Sequence, residues 1–194
     1  MAHITRDSLW TLERYAKERE GFRARVIDHK KNRKVFLGRT VLLEFEDEMT
    51  IRYQIQEMLR AEKIFEEQGI LAEIDAYDPL IPDGRNFKAT MMLEYPDIEE
   101  RKGALARLRG IEDRVWVRVN GAEKVYAIAD EDLERETAEK TSSVHFLRFE
   151  LTDAMASALK SGAALAMGID HPEYTVQTEA IPENVRSSLV KDLV

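Results

Sequence analysis

The feature that most restricts the fold is a junction that occurs twice. Leu93-Glu94-Tyr95-Pro96-Asp97 and Phe149-Glu150-Leu151-Thr152-Asp153 align position by position. Each stands where an alternating apolar stretch gives way to a helical one. The surrounding segment "FKATMMLEYPDIEERKGALARLRGIEDRVWVRVNGAEKVYAIAD" reads strand, helix, strand, Asn120-Gly121 turn, strand. The segment "SVHFLRFELTDAMASALKSGAALAMGIDHPEYTVQTEAI" reads the same way, turning at His171-Pro172. Asp97 with Glu100 has capping-box spacing, Thr152 supplies the equivalent acceptor, and Gly110 and Gly162 close the two helices. The expected class is α+β: an antiparallel-rich sheet built from two β-α-β-β units, residues 87–130 and 143–181, with the helices packed on one face. Two short units can share an element order by chance, so duplication remains one of two explanations.

Residues 1–86 read as a helical region with a short hairpin and a long central helix. Residues 8–31 predict a helix broken near Gly21, with Leu9, Leu12 and Ala16 on one face and Phe22, Val26 and His29 on the next. "RKVFLGRTVLLEFED" predicts two strands turning at Gly38. "FEDEMTIRYQIQEMLRAEKIFEEQGI" then predicts the longest helix, ending at Gly69, and "DAYDPLIPDGRN" is dense in turn residues and marks the boundary with residues 87–194. The acidic stretch "DEDLERETAEKT" reads as a solvated link between the units. In the tail, Pro182 stands at a helix start that places Val185, Leu189 and Leu193 on one stripe, ready to dock on the remainder.

Inventory excludes several chemistries. There is no Cys, so thiolate catalysis, disulfides, Cys-ligated zinc and iron–sulfur clusters are ruled out for this chain. The start carries charges throughout and no segment has the apolar length of a membrane span, which makes the expected compartment the cytoplasm and the expected partners non-membrane. A formal charge of -8 argues against general nucleic-acid affinity. The basic run from Arg23 to Arg39 is the exception, read either as an anion-binding patch or as a helix end with solvated cations. No dinucleotide, Walker, nucleophile-elbow or His-Glu-x-x-His motif is present.

On the helix from residue 48 onward, a step of about 100° per residue places Glu62 near the centre of the face formed by Ile51, Ile55, Met58, Leu59 and Phe65, with Glu66 one turn on. A carboxylate there requires a counter-charge or a proton, or a helix that has already emerged from the core. A di-iron reading fails because no His follows a Glu at Glu-x-x-His spacing, so ion pairs to Arg are favoured over a metal; Glu57 and Arg60 lie on the opposite side. His145 alternates with Leu147 and Phe149 on a strand and reads first as a hydrogen-bonded core histidine. His171 sits in a turn beside Asp170 and Glu173 and could act as a base or cation ligand, or be inert. Under two-fold symmetry Glu94 and Glu150 would become equivalent and could converge on a cleft, or equally be two exposed glutamates ending two strands.

The stretches "FRARVIDHKKNRKVFLG", "FEDEMTIRYQIQEMLRAEKIFEE", "YDPLIPDGRNFKATMMLEYPD", "RVWVRV", "YAIADEDLER" and "VHFLRFEL" together resemble a bacterial family known as domain of unknown function 3501. The resemblance spans almost the whole chain, and Ile-Arg-Tyr-Gln-Ile-Gln-Glu-Met is its specific part. It implies an association with rubrerythrin-like or iron–sulfur oxidoreductase-like proteins, hence with peroxide or redox defence. It supplies no catalytic residue. The expectation is an accessory, partner-binding protein with no cofactor. The alternative is an enzyme or a metal- or small-ligand-binding protein using a pocket drawn from Glu57, Glu62, Glu66, His145, Glu150 and His171, with a divalent metal as its cofactor.

Overall fold

The computed structural model describes residues 3–194. In chain order the elements are α1 (Leu12–Lys30), β1 (Lys34–Leu37), β2 (Val41–Phe45), α2 (Glu48–Ala61), α3 (Glu67–Tyr77), β3 (Asn86–Leu93), α4 (Ile98–Arg107), β4 (Val115–Val119), β5 (Val125–Tyr126), β6 (Ile128–Ala129), β7 (Val144–Glu150), α5 (Asp153–Lys160), β8 (Leu165–His171), β9 (Tyr174–Gln177) and α6 (Glu183–Leu189). The class is α+β, as expected. The strands do not share one sheet, however. A five-stranded sheet runs β1-β2-β3-β7-β6 and a four-stranded sheet runs β5-β4-β8-β9, with every neighbouring pair antiparallel. Helices α4 and α5 each carry the chain from the first sheet to the second.

The first two strands of one unit pair with their counterparts in the other, β3 with β7 and β4 with β8. Aligning Leu93–Asp97 with Phe149–Asp153 sets Thr90 against Phe146, and those residues are also Cα partners across β3 and β7. In the second sheet β4 pairs with β8, and the hairpin strands β5 and β9 lie outside them. That arrangement is two-fold about the two central pairs, and it decides the Glu94–Glu150 question. Antiparallel register places Glu150 opposite Asn86, at the far end of β3 from Glu94, so the two carboxylates diverge and share no cleft. Asp97 and Thr152 cap α4 and α5 as anticipated, accepting from Glu100 N at 2.7 Å and Met155 N at 3.2 Å.

Alternation along the strands places Phe45, Phe87, Met91, Leu147 and Phe149 of the first sheet, with Val117, Leu165 and Met167 of the second, in one continuous buried cluster. Leu105, Leu159, Val185 and Leu189 of α4, α5 and α6 complete it. A second cluster, including Ile51, Ile55, Leu59, Ile70 and Ile74, holds α2 and α3 together, and Tyr15, Phe22 and Val26 seat α1 beside them. Because β1 and β2 belong to the same sheet as β3 and β7, the N-terminal region is joined to the rest through backbone hydrogen bonds.

Two helix expectations need correction. Helix α1 runs through Gly21 without a break. The central helix, expected to reach Gly69, ends at Ala61 in a Schellman motif: Lys63 adopts φ +55°, Ile64 N donates to Leu59 O at 2.8 Å and Lys63 N to Arg60 O at 3.4 Å. Gly69 lies inside α3, where a Cβ would come 2.7 Å from Ile64 Cγ2, so its lack of a side chain lets the corner fold tightly. Part of the basic run is absorbed internally, while Arg23, Arg25, Lys31 and Arg39 are exposed. Lys30 and Lys34 pair with Glu44, and the buried Arg33 guanidinium binds Asp192, Phe45 O and Glu46 O, which ties the C-terminal segment to the β1–β2 hairpin.

Candidate functional site

The corner of α2 and α3 overhangs the outer face of the first sheet and leaves a cleft of about 560 Å³. Met58, Tyr77 and Leu80 form its helical wall. Its floor is set by strand alternation: with Phe87, Ala89 and Met91 turned to the sandwich core, Lys88 and Thr90 must face the opposite way, as Phe146 and Arg148 do on β7. Glu131, Asp132 and Arg135, from the acidic loop after β6, form the third wall.

Among the described residues the cleft's two arginines are ion-paired, whereas Glu46, Glu73, Asp75 and Lys88 are not. Arg148 binds Glu131 through two bonds of 2.8 Å and Glu150 through one of 2.7 Å, holding the Glu131 carboxyl below its ordinary range. Arg135 is taken up by Asp132 and Asp130 and stacks over Phe146, 4.6 Å from the ring centre. Glu46 is deeply buried; burial pushes its carboxyl up, while the hydroxyls of Thr50 at 2.5 Å and Thr90 at 2.6 Å oppose that shift. Lys88 differs. Its ammonium donates to Pro79 O at 2.5 Å and, among the described residues, makes no ion pair; burial lowers its pKa, with Asp83 and Glu131 acting from a distance.

Beside this cleft lies a buried polar cluster around His145, which is fully inaccessible. Asp130 Oδ2 accepts from Nδ1 at 2.6 Å, and Nε2 faces Thr141 Oγ1 at 2.9 Å and Ser142 O at 3.1 Å. Thr141 in turn donates to Glu112 Oε2 at 3.2 Å. Both ring nitrogens therefore face acceptors, an arrangement satisfied by a doubly protonated ring. Burial pushes the Glu112 carboxyl up, against the pull of the neighbouring His145. Glu112, Asp130 and His145 each bring a potential metal-ligating atom within 4.8 Å of the others. Asp130 approaches Nδ1, whereas Glu112 Oε2 lies 3.7 Å from Nε2. The lone pairs of the two nitrogens diverge, so the carboxylates flank the ring instead of forming one coordination sphere with a single nitrogen.

The six residues singled out in the sequence do not assemble into one site, and no hydrogen bond or ion pair joins any two of them among the described residues. Glu57 accepts from Tyr15 Oη at 2.6 Å and from Arg19 at 2.7 and 2.8 Å, an ion pair to Arg of the kind expected for Glu62 and Glu66 and found instead on the opposite side of the helix. Glu62 and Glu66 are exposed, Glu62 as the C-cap of α2 and Glu66 before α3, so no counter-charge or proton is needed at Glu62: the helix has left the core there. His145 is the core histidine of the cluster above. Glu150 accepts from Arg148 and from Asn86 at 3.1 Å. His171 is buried, donating from Nε2 to Arg109 O at 2.9 Å and accepting at Nδ1 from Glu173 N at 3.2 Å, which leaves neither nitrogen free for a base or ligand role.

Sequence reasoning missed Lys88, Asp130, Arg135 and Glu112. Lys88 was visible as the one cation in the alternating strand Phe87–Leu93. For the others nothing local signals that a loop aspartate and a glutamate before β4 meet one histidine.

A crystal structure described as a novel protein of unknown function from Burkholderia pseudomallei K96243 is similar to this chain, with 61% identity, a TM-score of 0.95 and all of both chains covered. Comparison with curated proteins finds no match. No helix among the described residues is long and apolar enough to cross a membrane. The profile of the family described as protein of unknown function (DUF3501) matches residues 3–193, and the chain belongs to that family.

Proposed function

We propose that the protein binds a small organic anion with an apolar body in the cleft between α2–α3 and the first sheet. The observation that carries this reading is Lys88, a half-buried ammonium at the cleft that makes no ion pair among the described residues while the neighbouring arginines are paired. A partly desolvated cation gains from any anion that reaches it, and Met58, Tyr77 and Leu80 offer the ligand's apolar part a surface. The volume falls within the roughly 300–1,000 Å³ range of small-molecule sites. Fluorescence titration with 1-anilinonaphthalene-8-sulfonate, and its displacement by decanoate, tests this reading. Lys88→Met is expected to weaken both at least tenfold; unchanged affinity in that variant would overturn the reading.

A second reading, an accessory protein for a rubrerythrin-like or iron–sulfur oxidoreductase-like partner, draws on the α2–α3 corner. There Phe65 is 72% exposed between Glu62 and Glu66, with Leu71 exposed nearby. Loss of co-purification with such a partner in Phe65→Ser would support it, and retention would count against it.

A further inference from the structure

We infer that residues 131–140 form a lid over the cleft and that His145 is the clasp holding both of its ends, a reading that rests on the ligand site proposed above. The loop leaves the sheet at Asp130 and returns at Thr141, and those two residues occupy opposite nitrogens of the one imidazole. Asp130 is also bound to Phe146 N at 3.0 Å, and Thr141 N donates to Leu105 O at 3.0 Å, so both anchors are part of the rigid body. Between them the segment contains no helix or strand and touches the body chiefly through polar side chains: Glu131 on Arg148, Arg135 over Phe146, and Glu136 accepting from Gly110 N at 2.5 Å. Such a segment opens locally at much lower cost than the sheet beneath it.

Two features give the loop a covering role. Glu131 and Arg135 stand at the cleft, where an entering anion would compete with Glu131 for Arg148 and with Asp130 and Asp132 for Arg135. Its one large apolar side chain, Leu133, is 56% exposed within an otherwise polar stretch. Leu133 follows the cleft-lining Asp132, and a hydrophobe held in water there gains burial when the cleft is filled and the loop closes on the occupant. His145 then acts as a positioning residue: it touches no ligand but fixes where the loop begins and ends.

Limited trypsin digestion of the full chain reads this directly, because Arg135 and Lys140 are cleavage points inside the loop. Cleavage there is expected to be slow in the parent protein, about tenfold faster in His145→Gln, and faster by a smaller factor in Thr141→Val, which frees one end only. Thr141→Val carries the comparison if His145→Gln lacks a cooperative thermal transition. Decanoate is expected to slow cleavage at least threefold in the parent protein, and Leu133→Ser to abolish that protection without changing the rate in its absence. Parent-like cleavage in both clasp variants, or protection that survives Leu133→Ser, would overturn the inference. Decanoate that displaces the fluorescent probe yet gives no protection overturns the lid alone. Decanoate that does neither removes the ligand reading beneath it.

Discussion

Asp130 and Thr141 hydrogen-bond to opposite nitrogens of the same buried imidazole, at 2.6 and 2.9 Å. The charges close around that ring: Asp130 also holds Arg135, and Thr141 passes a hydrogen bond to Glu112. Removing the ring in His145→Leu leaves the Asp130 carboxylate with only part of its hydrogen bonding and Thr141 Oγ1 with Glu112 alone. The expected cost is about 3–5 kcal/mol, measured by urea unfolding. Because the carboxylates flank the ring on separate nitrogens, added zinc should leave the thermal midpoint of the parent protein within about 1 °C, since binding at the native state alone would raise it. A rise that disappears in Glu112→Gln would show that the cluster can rearrange around a metal.

On the outer face of the second sheet Trp116 is fully buried, with Lys124 Nζ 4.4 Å and Arg118 Cζ 5.4 Å from its ring centre. Its room comes from Gly168, the Cα partner on β8. A Cβ at Gly168 would overlap Trp116 Cζ2 and stand 2.6 Å from Val176 O. Gly168→Ala must therefore displace the indole or spread the sheet, at an expected cost of about 1–3 kcal/mol. In a Trp10→Phe background, where Trp116 is the sole indole, its emission should move to the red. Unchanged emission and stability would mean that the sheet absorbs the methyl group elsewhere.

Two carboxylates, Asp192 and the half-buried Glu57, give stability opposite dependences on pH. Asp192 is raised from 3.8 to about 6 chiefly by burial; Arg33 pulls it down and Asp47 adds to the rise. For a raised acid, the contribution is complete below the unfolded value and is lost as pH climbs through the folded one, a loss of at most about 3 kcal/mol between pH 4 and 7. Asp192→Asn is neutral throughout and should lack that decline relative to the parent. Glu57 is lowered, chiefly by its bonds to Arg19. Its contribution is therefore present above the ordinary glutamate range and lost as pH falls, and Glu57→Gln should cost about 1 kcal/mol at pH 7 with the difference closing in acid. Parallel urea curves for parent and variants across this range would refute both assignments.

What the sequence revealed and what it hid follow from the range of the interactions involved. Strand alternation and caps are local, and they located Asp97, Thr152, the Gly38 turn and the stripe Val185, Leu189 and Leu193, all of which take the expected roles. Sheet partners are not local. Nothing near Glu150 indicates that it lies opposite Asn86, or that two sheets will divide the strands. The cleft is wholly a product of those pairings, because Lys88 and Arg148 become neighbours only through the β3–β7 register. The periodicity argument for Glu62 failed for a different reason: it extrapolated a helical face across a residue where the backbone had already turned.

That residue is Lys63, and it provides the last test. At φ +55° it occupies the left-handed position of the Schellman motif, where glycine or asparagine is the usual signal and lysine gives none. Ile64 follows and packs back beside Leu59 in the α2–α3 cluster, so tertiary burial holds the lysine in a conformation it would not choose alone. Lys63→Gly removes the steric cost of that conformation, a gain of about 1–2 kcal/mol, and returns part of it through the greater freedom of glycine in the unfolded chain. The net expectation is stabilisation of about 0.5–1 kcal/mol, a rise of roughly 1–4 °C in thermal midpoint. Gly69→Ala should act in the other direction, because its methyl group meets Ile64 Cγ2 at 2.7 Å and pushes the corner apart. If Lys63→Gly destabilises while Gly69→Ala is neutral, the corner is not held by Ile64, and α2 and α3 would join into the longer helix that the sequence alone predicts.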